Sequence, residues 1–325
     1  MDVKILIIQT AFIGDVILAT PLVEALNKKY PGSNIDFLLR KGNEGLLEQH
    51  PKISNILIWD KKKNKLRNLF NLIRKVRSEK YDMVYNLHRF ASSGLITLFS
   101  SARVKAGFDK NPFSFSYSKT IRHIIGDSHH EADRNLELVD MSLENTGLKP
   151  KLYPCQDHFE KTAVYKSKPY IVVAPASVWF TKRMPEDKWI QLFEKFSGNY
   201  MIYMIGGKED KEEYEKMILK SGFGSVVNLA GKLSFLESAA LMKDAAMNFV
   251  NDSAPLHIAS SVNAPVTAFF CSTIPDFGFG PLSDKSVVQQ VSGLKCKPCG
   301  LHGKRECPEK HFRCGNEMDI NNLTV

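Results

Sequence analysis

Lys4-Ile5-Leu6-Ile7-Ile8-Gln9-Thr10-Ala11-Phe12-Ile13-Gly14-Asp15-Val16-Ile17-Leu18-Ala19-Thr20-Pro21 decides how the rest of the chain is read. A short apolar run meets a loop in which Gly14 permits a tight turn, and an amphipathic stretch follows at once. That is the pattern of a buried strand feeding a helix. The run could pass for the apolar part of a signal peptide, but Asp2 precedes it, no basic segment leads in, and no small-x-small cleavage site follows. A buried first strand fits better, and the expected compartment is the cytosol, where six cysteines stay reduced.

The alternation continues outward from this stretch. Strands are predicted at Lys4–Gln9, Ile35–Leu39, Ile56–Trp59 and Met83–Leu87, then at Tyr170–Ala174, Met201–Ile205, Val226–Leu229, Met247–Val250 and Val266–Phe270. Helices are predicted over Val16–Lys29, Asn64–Arg77, Glu186–Phe196, Asp210–Lys220, Phe235–Asp244 and Pro255–Val262. Apolar runs separated by crossover helices indicate parallel sheets covered on both faces. The rhythm lapses around Gly147–Lys168, where Pro150 and Pro154 interrupt a polar stretch. The expected architecture is α/β, with two Rossmann-like doubly wound domains (1–160 and 161–325) facing a central cleft and ligands at the strand C-termini.

Composition excludes several classes. Hydrophobic residues make up 43% of the 325 and charged residues 24%, which is globular rather than disordered or fibrous. Mean hydropathy is −0.21, and no apolar run approaches the roughly 18 residues of a transmembrane helix. The net charge is +9, and nearly all of it lies between Lys61 and Lys80, where Glu79 is the only acid among nine basic residues. Leu66, Leu69, Phe70, Leu72, Ile73 and Val76 recur there at helical spacing, giving a basic amphipathic helix. It reads either as a solvated face or as a surface for anionic headgroups or an anionic acceptor. Nucleic acid is disfavoured, because no zinc-finger, RRM or helix-turn-helix signature accompanies the charge.

Three loops carry candidate chemistry. Asp15 opens the first helix, where a carboxylate serves as an N-terminal cap or as a general base at the sheet's mouth. In Ala174–Pro185, Ser177 and Thr181 stand near Lys182 and Arg183, a point charge beside a planar fork, which suits a diphosphate or a solvated basic loop. In Val250–His257, Asp252 and Ser253 sit at a helix start with Pro255 in its first turn, a ready anion site, and His257 lies further in. Gly206 ends another strand and permits close approach to its backbone. Glu237 fits either a capping box with Ser234 or a hydrogen bond to a sugar hydroxyl. Cys296, Cys299, Cys307 and Cys314 form a C-x2-C-x7-C-x6-C series, compatible with structural zinc or with plain thiols.

Taken together, Phe12–Pro21, then Ser177, Thr181–Pro185 and Trp189, then Asn251-Asp252-Ser253 and His257 resemble the bacterial heptosyltransferases of glycosyltransferase family nine. Gly107-Phe108-Asp109, Asp133–Leu136 and the Cys-rich tail add lesser echoes. The resemblance implies a GT-B fold and inverting, metal-independent transfer of heptose from an ADP-sugar to the lipopolysaccharide core. By motif position Asp15 would be the base and Lys182 would bind the donor diphosphate, with Ser177, Thr181, Arg183 and Gly206 nearby. Asp252, Ser253, His257 and Glu237 would line the donor pocket, and His88 and Arg89 stand on the acceptor side of residues 1–160. Residues 161–325 would hold the nucleotide-sugar, no cofactor would be required, and the enzyme would be cytoplasmic or peripheral on the inner membrane's cytoplasmic face. The chain lacks the Asp-x-Asp pair by which metal-dependent transferases hold a nucleotide diphosphate. Ala254 and Met184 depart from the family pattern, where Gly and Trp are usual. A nucleotide-sugar epimerase and a non-catalytic nucleotide-sugar binder of the same fold are the competing readings.

Overall fold

The computed structural model describes residues 3–325, and the chain divides between Tyr153 and Pro154 into two units. The first contains β1 (Lys4–Ile8), α1 (Ile13–Leu18), α2 (Thr20–Lys29), β2 (Asn34–Arg40), β3 (Asn55–Trp59), α3 (Lys65–Ser78), β4 (Met83–Asn86), α4 (Ala91–Phe99), β5 (Val104–Phe108), β6 (Lys119–Ile121), α5 (Glu131–Glu137) and α6 (Leu143–Thr146). Its six strands lie in the order β3-β2-β1-β4-β5-β6, and every pairing is parallel.

The second unit contains α7 (Gln156–Ala163), β7 (Tyr170–Ala174), α8 (Glu186–Phe196), β8 (Met201–Met204), α9 (Lys211–Ser221), β9 (Val226–Asn228), α10 (Phe235–Lys243), β10 (Asn248–Asn251), α11 (Ala254–Ser261), β11 (Val266–Phe269), β12 (Ser286–Gln289) and α12 (Arg313–Asn316). Its sheet is again all parallel, in the order β12-β11-β10-β7-β8-β9.

In each sheet the chain runs outward from a central strand, then returns to that strand's other side. The order therefore reverses between β1 and β4, and again between β7 and β10. Adjacent loops diverge at such a point and leave a crevice at the strand C-termini. The Asp15 and His88 loops flank the first reversal, and the Lys182 and Asp252 loops flank the second.

Both cores follow from the apolar runs. Leu6, Ile8, Leu38 and Val84 pack beneath Leu69, Leu72 and Val76 of α3 and Ile96 of α4. In the second unit Ile171, Val173, Phe249 and Phe269 pack against Trp189 and Phe193 of α8, with the Trp189 and Phe269 rings edge to face at 5.4 Å. Cys314, Met318 and Ile320 join this core, so the C-terminal tail is part of the unit.

Two sequence expectations shift. The single helix expected over Val16–Lys29 is two, α1 and α2, because Pro21 has no N–H and its ring crowds the carbonyl four residues back. The Ile17 carbonyl is satisfied instead by the Thr20 hydroxyl at 2.7 Å. Strands β5, β6 and β12 were not expected; β6 and β12 close sheet edges, and β5 carries Gly107. A Cβ at Gly107 would meet the Asn86 carbonyl at 2.7 Å and the Tyr117 ring at 2.7 Å, so glycine is what lets this strand approach.

Candidate active site

The residues that follow the strands of the first sheet line one cavity of about 650 Å³. Thr10 follows β1, Arg40 ends β2, Trp59 ends β3 with Lys61 just beyond, and His88 and Phe90 follow β4. Phe12, Lys65, Leu66 and Leu69 complete much of its wall. The Thr10 Oγ1 and His88 Nδ1 atoms lie 3.0 Å apart across the strand-order reversal, and the Lys61 ammonium donates to the Thr10 carbonyl at 2.8 Å and to its hydroxyl at 3.2 Å. Burial, reinforced by Lys61 and Arg89, holds the His88 imidazole down at about 3, so it is neutral. Burial and the nearby Arg40 and Lys65 charges bring Lys61 down to about 8. Among the described residues no carboxylate forms an ion pair with Arg40, Lys61 or Lys65, so the cavity wall is cationic.

Asp15 lies in the first turn of α1, and its carboxylate accepts the Phe12 backbone N–H at 3.0 Å. Phe12, not Asp15, is therefore the N-cap residue: Asp15 stands three residues on, and its carboxylate closes back on the cap's N–H, so it braces the helix start without being the N-cap foreseen from sequence. Burial raises the Asp15 pKa to about 6, and the negative charge of Glu131 pushes the same way. The Phe12 N–H and Arg89 oppose that shift. A carboxylate poised near neutrality suits general-base chemistry, since it is ionised yet basic enough to accept a proton. Glu131 is a residue that sequence reasoning missed. It is buried on α5 against His123 at 3.1 Å and Arg134 at 3.0 Å, and no motif distinguishes it from the acids around it.

In the second unit the candidates fall into two groups. Lys182 Nζ reaches Asp252 Oδ2 at 2.7 Å, and the Thr273 hydroxyl donates to the same oxygen at 2.6 Å. Asn251 holds the two loops together, accepting the Met184 N–H at 3.0 Å and donating to the Pro175 carbonyl. The Ser253 hydroxyl spans 3.4 Å to the Ala176 carbonyl, and Arg183 donates to the Ser177 carbonyl at 2.6 Å while approaching Glu213. Lys182, Arg183, Ser177, Asp252 and Ser253 are thus gathered at the reversal between β7 and β10.

The remaining candidates have other commitments. The Thr181 hydroxyl is buried and engaged by Ser272 at 2.9 Å and by the Lys304 N–H at 2.8 Å, which ties the Lys182 loop to the C-terminal tail. Glu237 closes a capping box with Ser234 and pairs with Lys161 at 3.2 Å. His257 is buried on α11 facing the Phe279 ring. A Cβ at Gly206 would meet Asp210 at 2.7 Å and the Tyr214 hydroxyl at 2.9 Å, so this glycine makes room for a side chain of its own unit. Among the described residues no group of three or more His, Cys, Asp or Glu side chains is placed to hold a metal ion. Of the four tail cysteines, Cys314 is buried in the core with its thiol raised to about 11, while Cys296, Cys299 and Cys307 are half-buried.

Residues 69–312, well over half the chain, match the model of glycosyltransferase family 9 (heptosyltransferase). The chain belongs to this family. It is therefore an enzyme, a glycosyltransferase of the heptosyltransferase kind. It is 27% identical to lipopolysaccharide heptosyltransferase 3 of Escherichia coli, over 94% of this chain and 92% of that protein. Its fold is similar to that of the E. coli ADP-heptose lipopolysaccharide heptosyltransferase II, with TM-score 0.77 and 20% identity over 97% of this chain and 98% of the other. An E. coli heptosyltransferase solved with ADP gives TM-score 0.71 and 19% identity over 88% and 92% of the two chains. Two six-stranded parallel sheets wrapped by helices are the GT-B form of a family 9 glycosyltransferase.

Proposed function

We propose that this family 9 glycosyltransferase moves heptose from ADP-heptose onto a lipopolysaccharide core or related surface glycan, by inverting displacement without a metal. The first unit supplies the acceptor cavity, lined on its β4 side by His88, and the base, with Arg89, which does not itself line the cavity, next to His88 in the chain. The second unit binds the nucleotide-sugar. The observation that carries the reading is the Asp15 carboxylate, raised to about 6 in the helical turn directly after the loop whose Thr10 and Phe12 line the cationic cavity.

In the proposed reaction an acceptor hydroxyl oxygen attacks the anomeric carbon while the bond from that carbon to the diphosphate oxygen breaks. The proton passes to Asp15 and ADP departs with the bonding electrons. Positive charge develops on the sugar ring and negative charge on the leaving diphosphate. Lys182 and Arg183, with the N-terminal turn of α11 behind Asp252 and Ser253, supply the fixed positive charge that stabilises such a leaving group. Lys182 must then exchange Asp252 for phosphate oxygens as donor binds. An epimerase of similar fold needs no acceptor cavity, and a non-catalytic binder needs no raised carboxylate, so both features favour a transferase.

The test is consumption of ADP-heptose with and without acceptor, in EDTA, by the wild-type protein and by Asp15→Asn. The expected result is acceptor-dependent ADP release by the wild type alone. Acceptor-independent turnover, or a fully active Asp15→Asn, would overturn the reading.

A further inference from the structure

Helix α3 leaves a face uncovered. Leu69, Leu72 and Val76 point into the core, whereas Leu66 is 80% and Phe70 54% exposed. At 100° per residue, Leu66, Phe70, Arg67, Arg74 and Arg77 share one outward face, and the Arg74 guanidinium lies over the Phe70 ring at 4.3 Å. Lys62 and Lys63, also exposed, precede it. Among the described residues no carboxylate forms an ion pair with any of these cations.

The same helix lends Lys65, Leu66 and Leu69 to the cavity described above. Phe12 and Phe90, two more residues of that cavity, are each 57% exposed. The cavity is thus rimmed by outward-facing apolar side chains, and a cationic, aromatic-bearing helix face continues from one side of the rim.

We propose that α3 and the Lys61–Lys63 loop dock this enzyme onto an anionic lipid bilayer, with Leu66 and Phe70 entering the headgroup boundary. Docked in this way, the cavity mouth opens at the lipid surface. Charge complementarity identifies the partner, because a dense unpaired cationic strip around exposed apolar side chains matches an anionic interface and not a neutral one. The apolar residues argue for lipid over a soluble polyanion, which would pair with the cations and leave Leu66 and Phe70 in water. No helix of the described residues is long and apolar enough to cross a membrane, so the contact is peripheral. The significance of the cavity's position rests on its reading as the acceptor site; the binding itself does not.

The experiment is flotation of the full chain with vesicles of phosphatidylcholine alone or mixed with phosphatidylglycerol, at low and high salt. The wild type should float only with the anionic vesicles, and high salt should release it. Arg67→Glu/Arg74→Glu/Arg77→Glu should lower partitioning at least a hundredfold, since each cation contributes roughly fivefold. Phe70→Ser should lower it separately, with the melting temperature of both variants checked against wild type. No flotation, equal flotation with neutral vesicles, an unaffected triple variant, or binding to heparin without flotation would each overturn the proposal. Transfer to a water-soluble acceptor should persist in the triple variant while transfer to acceptor embedded in vesicles falls. Absence of transfer to either acceptor by wild type would sink the transferase reading and leave the flotation result standing.

Discussion

Lys182 and Asp252 form a 2.7 Å ion pair that joins the loop after β7 to the loop after β10, where the strand order of the second sheet reverses. Thr10 and His88 make the equivalent contact in the first sheet, 3.0 Å apart between the loops after β1 and β4. In both units a polar pair spans the crevice that doubly wound topology creates, and in the second unit Ser177, Arg183 and Ser253 gather around it.

Asp15 should govern the pH dependence of transfer. With its pKa raised to about 6, the base is protonated and idle below that value, so kcat/KM should rise with pH and level off above it. Asp15→Asn should lower kcat by about 10²–10⁴-fold with ADP affinity nearly unchanged. Because Glu131 contributes to the shift, Glu131→Gln should move the acid limb to lower pH. An acid limb that stays in place would remove Glu131 from this role.

Lys182→Ala should weaken ADP binding at least tenfold, about 1.4 kcal/mol, and leave Asp252 without its cation. Calorimetric titration reads this directly. Lys182→Arg should recover part of the affinity, because the charge is kept while the geometry changes. Undiminished ADP affinity in the alanine variant would exclude Lys182 as a diphosphate ligand.

The tail braces the Lys182 loop, and Gly303 is where this can be measured. Its φ is +76°, and a Cβ there would meet Lys182 Cγ at 2.8 Å and Trp179 Cβ at 3.0 Å. Gly303→Ala should destabilise the protein by about 1 kcal/mol and also weaken ADP binding severalfold as Lys182 moves. Gly293, with φ +75° and open space around it, is the control. Gly293→Ala should carry the backbone strain without the loss of affinity.

Acid should destabilise the first unit through His50. Burial lowers its pKa from 6.5 to about 4, with Glu24 opposing and Lys52 and Lys151 assisting. Between those values the unfolded chain binds a proton that the folded one refuses, so stability falls as pH falls through this window. The expected loss is on the order of 3 kcal/mol. Melting temperatures from pH 7 to 4 should therefore fall less steeply for His50→Gln than for wild type; parallel curves would show that His50 is not the source.

The β/α alternation was legible because a strand buried on both faces must be apolar along its whole length, and that pattern survives in the chain whatever surrounds it. Ile5–Ile8 and Tyr170–Ala174 are such runs. The placing of Asp15, Lys182 and Asp252 beyond strand C-termini was legible as well, because each stands in the segment that follows an apolar strand run, Asp15 in the first turn of α1. Strands β5, β6 and β12 were hidden because their short, mixed segments gain their stability from the neighbour they pair with and not from their own pattern.

The sequence by itself determined the two parallel-sheet units and the strand-to-helix segments in which the proposed site residues stand, since local apolar periodicity and strand-to-helix turns are written residue by residue. Only the tertiary structure decided what those segments meet. Arg40, Trp59, Lys61 and His88 are far apart in the chain and become one cavity wall when the order β3-β2-β1-β4 sets their strand ends side by side. The same packing commits Thr181 to Ser272 and Lys304 and sets the charge of Glu131 close enough to raise Asp15. Burial and electrostatic proximity depend on distances through space, and those exist only once the sheets have formed.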